Sequence, residues 1–252
     1  MSYLIPPPVQ PLKFMMNRLL LLSNSTQHGY EYLQHAASEI RNFLGHAVAR
    51  VLFVPFAIGD WDGYAQQARE TFAGFGYGLD GLHEAADARA AVRDADALFI
   101  GGGNTFRLLN TLYAWDVLDA IRRRVAAGMP YMGASAGTNV ACVTIKTTND
   151  MPIVYPPSFD ALGLVSFNIN PHYLDPDPDS THQGETREQR IAEFHELNEP
   201  PVLGLREGAW LRIEGDAIHL GGSRDARLFR KDEEPVEYRA GSRLDFLLDR
   251  KT

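Results

Sequence analysis

Cysteine is nearly absent from this chain of 252 residues: Cys142 stands alone, so neither an intrachain disulfide nor a thiolate metal cluster can be built. Long apolar runs are missing too, and nothing approaches the roughly 18 residues needed to span a bilayer. Positive charge is scarce. The 24 Lys and Arg face 32 Asp and Glu, for a net charge of −8, which argues against a nucleic-acid partner and the basic face it needs. The opening MSYLIPPPVQPLKF lacks the charged start, apolar middle and small-residue cleavage site of a secretion signal. Residues 1–16 therefore read as a Pro-rich disordered extension, residues 17–252 as a single α/β domain, and the expected location is the cytoplasm.

What is present alternates. Short continuous apolar runs at 18–23, 51–57, 97–100 and 130–134 suit strands buried on both faces. Between them, residues 29–44, 61–75, 105–113 and 116–127 carry helical patterns, with Gly45 and Gly128 as stops. Further on, 166–170 reads as a strand, 186–197 as a helix, and 209–220 as two strands around Glu214-Gly215-Asp216. This order predicts an open, doubly wound, mostly parallel sheet with helices on both faces and a C-terminal hairpin.

Sites in such sheets form at the carboxyl ends of strands. Two strands here end in glycine-rich turns, GGGN at 101–104 and GASAG at 133–137. The second matches the nucleophile-elbow pattern G-x-S-x-G, a match expected about 0.07 times by composition alone, so the strand before it and the helix-prone residues after it carry the argument. A packing role for Ser135 is the competing reading. Ala136 would offer one oxyanion-hole N–H, and Gly101, Gly102 or Gly103 the second, because backbone without Cβ atoms can approach a substrate closely. Alternatively GGGN is a tight turn, or the phosphate cradle of a non-catalytic binding module. The G-x-G-x-x-G and P-loop patterns that would support a cradle are absent.

A serine nucleophile needs a base, usually a histidine oriented by a carboxylate. Of eight histidines, His28, His35, His46, His83, His182, His195 and His219 fall in helices, turns, polar stretches or the hairpin, whereas His172 directly follows the strand-like SFNIN. Asp150, in TTNDMPIV, is the candidate carboxylate. Asp150 reads equally as a turn residue and His172 as a strand-end cap.

The blocks LLLLSNST, PFA, GGGNTFRLL, SAGTNVAC, TTNDMPIV, INPH and HQGETREQRI, in order from residue 19 to about 191, resemble the peptidase E family of α-aspartyl dipeptidases; GLREGAW and LGG match more weakly. The resemblance implies a class I glutamine-amidotransferase-like fold, a small peptide substrate with N-terminal aspartate, no cofactor or metal, and a homodimer. By motif it implies Ser135 as nucleophile, Asp150 as triad acid and His172 as base. A cyanophycinase-like hydrolase of β-aspartyl peptides is the alternative. Departures from the family pattern are Ala134 before the serine and the Pro- and Asp-rich loop YLDPDPDSTHQ.

Recognition of an acidic substrate by an acidic chain has to be local. Thr186 and Gln189 form a capping-box pattern that would put Arg187 in the first turn of a helix. Its guanidinium fork can grip a carboxylate with two hydrogen bonds, unless it pairs with Glu185 or Glu188 on a solvated face. Asn104 and Glu185 are further candidates for substrate contact.

Overall fold

The computed structural model describes residues 17–177, 179, 181 and 184–248; the extension expected at 1–16 and His182 lie outside the described residues. The first half runs β1 (Arg18–Leu22), α1 (Ala37–Leu44), β2 (Arg50–Val54), α2 (Trp61–Phe75), β3 (Gly78–Gly81), α3 (Ala88–Asp94) and β4 (Ala97–Ile100). Next come α4 (Thr105–Ala114), α5 (Leu118–Ala126), β5 (Tyr131–Ala134) and α6 (Ala136–Ala141). The remainder is β6 (Asn168–Pro171), α7 (Arg187–Leu197), β7 (Val202–Leu205), β8 (Ala209–Glu214), β9 (Ala217–Gly222), β10 (Ala226–Phe229) and β11 (Val236–Tyr238).

A seven-stranded sheet in the order β3-β2-β4-β5-β1-β8-β9 forms the centre. Its first five strands are parallel, and the expected hairpin β8–β9 joins antiparallel to β1. Alternation along β1 shows why the chain needs helices on both faces. Leu20 and Leu22 pack with Phe43 of α1 and Phe72 of α2, while Leu19 and Leu21 pack with Leu108 of α4 and Ile121 of α5.

Three differences from the sequence reading have local causes. The helix expected over 29–44 is shorter, because Gly29 and Leu33 take positive φ (84° and 58°) and a 3-10 turn at Gln34–Ala36 precedes α1. The strand expected over 51–57 stops at Val54, before Pro55, which has no N–H for the ladder. A second sheet, β11-β10-β7-β6, was not anticipated: all four of its strands are four residues or fewer, and only the segment around β6 reads as a strand in the sequence. Here β6 and β7 run parallel, so the residues that follow them emerge side by side.

Candidate active site

Both glycines around Ser135 are steric necessities. A Cβ at Gly137 would overlap the Ile100 carbonyl oxygen of β4, and one at Gly133 would collide with the Gly137 carbonyl. Strand β5 and helix α6 can therefore pass this close only without side chains there. The turn is pinned by the Ser135 N–H on Leu22 O (3.1 Å) and by the Thr138 hydroxyl near Leu22 O (2.7 Å) and Gly133 O (3.0 Å). Ser135 itself sits at φ 52°, ψ −106°, a conformation sparsely populated for a residue with a Cβ and held only because its surroundings over-determine it.

His172 follows β6 and also takes a positive φ, 53°. Its Nε2 lies 2.9 Å from Ser135 Oγ, and its Nδ1 lies 2.6 Å from Glu207 Oε1. Because an ionised carboxylate only accepts, Nδ1 carries the proton and Nε2 is left to accept from the serine hydroxyl. The imidazole and the carboxylate are partly solvated, with side-chain exposures of 38% and 50%. Ser23 and Asn24, the two residues that follow β1, hold both supporting loops in place. The hydroxyl of Ser23 accepts from the His172 N–H (2.9 Å) and donates to Leu205 O (2.8 Å), and Asn24 Oδ1 accepts from the Gly208 N–H (2.8 Å).

Asp150 does not meet His172. Its Oδ2 accepts from the N–H of Thr105 (2.7 Å), the first residue of α4, with Thr148 Oγ1 at 3.1 Å. There it neutralises a free N–H and faces the positive end of the helix. The loop before it is tied to β6 through Thr147 Oγ1 on Ile169 O (3.0 Å) and Asn149 Nδ2 on Pro171 O (2.8 Å), which turns Asp150 toward α4. The carboxylate that lies against His172 Nδ1 is Glu207, not Asp150 where it was expected. A signal for it stood in the sequence: Arg206-Glu207-Gly208 directly follows the apolar VLGL, as His172 follows its own strand.

The glycine loop is narrower in its options than expected. The Gly101 N–H is taken by Val54 O (3.3 Å) and the Gly102 N–H by the Tyr64 hydroxyl (2.9 Å), so neither is free to meet an oxyanion. Gly103, at φ 130°, and Ala136, at the start of α6, have N–H groups without a partner among the described residues. The loop closely adjoins the serine, since a Cβ at Gly102 would come within 3.3 Å of Ser135 Cβ. Asn104 is the N-cap of α4, accepting from the Arg107 N–H (3.0 Å), and its amide donates to Met151 O (2.8 Å), so it serves the scaffold at both ends.

The capping box at α7 is present: Thr186 Oγ1 accepts from the Gln189 N–H (3.1 Å), and Gln189 Oε1 accepts from the Thr186 N–H (2.7 Å). Both carboxylates that could have neutralised Arg187 are engaged elsewhere, Glu185 with Arg190 (3.4 Å) and Glu188 with Arg227 (3.3 Å). Arg187 is half-buried and makes no ion pair among the described residues. Burial, with Arg190 beside it, holds its pKa below the ordinary arginine value, while the charge of Asp150 acts in the opposite sense. The guanidinium stays protonated. Among the described residues, no group of three or more His, Cys, Asp or Glu side chains is arranged to hold a metal ion, and no helix is long and apolar enough to cross a membrane.

The sequence model of peptidase family S51 matches residues 19–221. A protein named Peptidase E from Streptomyces coelicolor is 58% identical over 231 residues, covering 92% of this chain and 95% of its own length. A probable alpha-aspartyl dipeptidase from Drosophila melanogaster is 50% identical, covering 92% of this chain and 98% of its own. The crystal structure of a peptidase from an acI-B1 Actinobacterium superposes with a TM-score of 0.71 over 92% of this chain and 98% of that one. At 17% identity, that likeness shows the shared fold.

Proposed function

The chain belongs to peptidase family S51, and from that premise we propose that it is a serine dipeptidase cleaving after an N-terminal aspartyl residue. The single observation that carries the mechanism is the continuous line Ser135 Oγ–His172 Nε2 and His172 Nδ1–Glu207 Oε1, at 2.9 and 2.6 Å. In this reading Ser135 Oγ attacks the carbonyl carbon of the aspartyl residue as its proton passes to His172. Glu207 keeps the imidazole in the required tautomer and stabilises the imidazolium. The oxyanion lies between the N–H groups of Gly103 and Ala136. His172 then returns the proton to the leaving amine, and water hydrolyses the acyl-enzyme by the same route in reverse order. Arg187 takes the substrate's side-chain carboxylate in a two-point grip, supported by the engagement of Glu185 and Glu188 with other arginines. A homodimer in the cytoplasm completes the proposal.

The test is a panel of Asp-Leu, Glu-Leu, Asn-Leu, Leu-Asp and β-Asp-Arg with products identified by mass spectrometry. Asp-Leu is expected to be cleaved and Leu-Asp to survive; preferred cleavage of β-Asp-Arg would shift the reading to a cyanophycinase-like hydrolase. Ser135→Ala should lower kcat/KM by about a thousandfold or more without loss of fold. Arg187→Ala should cost Asp-Leu about 30-fold to several thousandfold in kcat/KM and Asn-Leu far less, with Arg187→Lys rescuing only in part. A wild-type preference for aspartate that persists in Arg187→Ala moves the recognition role elsewhere.

A further inference from the structure

Behind the site, three elements converge on one cluster of charges. Asp175 lies three residues after His172, Arg206 immediately precedes Glu207, and Glu188 immediately follows Arg187. The Arg206 side chain is only 16% exposed, and its guanidinium is held by two carboxylates at once. Its Nη2 and Nε meet Asp175 at 2.6 and 2.8 Å, and its Nη2 and Nη1 meet Glu237 of β11 at 2.9 and 3.0 Å. It also lies over the Tyr173 ring, 5.4 Å from the centroid. Arg227 of β10 extends the cluster: Nη2 is 3.3 Å from Glu188, Nη1 3.9 Å from Asp175 and Nε 3.6 Å from Glu237.

This arrangement has a reason in the packing. The segment that carries His172 forward and the helix that carries Arg187 rest on a small apolar cluster of Tyr173, Ile191, Phe194, Val202 and Phe229, separate from the large cores of the central sheet. Leu174, next in line, is exposed. So little apolar contact leaves orientation to directional interactions, and paired two-point arginine–carboxylate contacts are the most directional available.

We propose that Arg206 and Arg227 are positioning residues with separate duties: Arg206 sets the His172–Glu207 geometry, and Arg227, through Glu188, sets the first turn of α7 and hence Arg187. Neither touches the reacting atoms. The proposal rests on the roles assigned above to the triad and to Arg187. An error of about 1 Å at a catalytic group can cost about a hundredfold, so small losses of alignment are measurable.

The separation of duties gives the test. Arg206→Met should lower kcat for Asp-Leu and the rate of Ser135 labelling by a fluorophosphonate together, each by about tenfold or more, and move the acidic limb of the pH–kcat/KM profile. Arg227→Met and Glu188→Gln should each raise KM for Asp-Leu about tenfold while labelling stays at the wild-type rate, and their double variant should be no worse than either alone. Arg206→Lys, which keeps the charge but not the fork, should fall between, and it replaces Arg206→Met should that variant not fold. The proposal is overturned if the Arg227 and Glu188 variants lose labelling to the same extent as the Arg206 variants, or if folded variants lose neither labelling nor turnover. Wild-type protein that labels at Ser135 but leaves Asp-Leu intact would refute the substrate reading instead, and the labelling arm would still decide the duty of Arg206.

Discussion

At the scale of single residues, two carboxylates, Glu207 and Asp150, have different surroundings. Glu207 faces His172 Nδ1 at 2.6 Å, whereas Asp150 faces the start of α4. Glu207→Gln should therefore lower kcat for Asp-Leu by about 10²- to 10⁴-fold with little change in melting temperature, because the amide can favour the wrong imidazole tautomer. Asp150→Asn should show the opposite balance, a stability loss of about 0.5–2 kcal/mol from the weakened helix start and a smaller kinetic effect. Steady-state kinetics beside urea titrations on both variants check this. A larger kcat loss at Asp150 than at Glu207 would return the triad acid to Asp150.

At the scale of elements, the turn at 133–137 is tightly constrained, since it fits a helix start against the neighbouring strand β4. Gly137→Ala drives a methyl group toward the Ile100 carbonyl and should cost about 1–3 kcal/mol or more, read as a lower urea midpoint. A midpoint equal to that of wild type would show that α6 can shift freely. Such turns are legible in sequence because the steric demand is local: Gly133, Ser135 and Gly137 lie within five residues, and Thr186 and Gln189 of the capping box within four. Glu207 is not legible in that way. It reaches His172 across 35 residues, and only the parallel pairing of β6 with β7 brings them together. Strand β7 is four residues of VLGL with no period to distinguish it from a helical fragment, so the second sheet goes unread and the nearer carboxylate, Asp150, takes its place. The same holds for the glycine loop, where the N–H groups of Gly101 and Gly102 are claimed by Val54 and by Tyr64, the latter 38 residues away.

At the scale of the whole molecule, the ionisable groups bound its working range from both sides. Hydrogen bonding to Arg206 holds Asp175 below the usual carboxylate range, the Gly81 N–H does the same for Glu84, and the Ile218 N–H for Asp245. These depressed values mean stability that is present above the unfolded pKa and lost as pH falls through the folded ones. Urea midpoints should therefore decline from about pH 5 downward, each exposed group contributing little by itself. On the other side, burial pushes the Tyr173 hydroxyl and the Cys142 thiol up to about 12. The unfolded chain ionises these groups first, so stability present below the unfolded pKa is lost as pH rises above about 9. A midpoint that stays level from pH 3 to pH 10 would contradict both assignments. The clamp at Ser23 has a kinetic consequence. Its hydroxyl joins residues 149 and 182 positions away along the chain, so the reactive geometry depends on long-range closures of the fold. High contact order of this kind slows folding, and a chain emerging from denaturant can regain helix and strand content before these ends meet. On dilution from urea, recovery of peptide cleavage should trail recovery of the far-ultraviolet circular dichroism signal, making turnover a clock for the last stage of refolding.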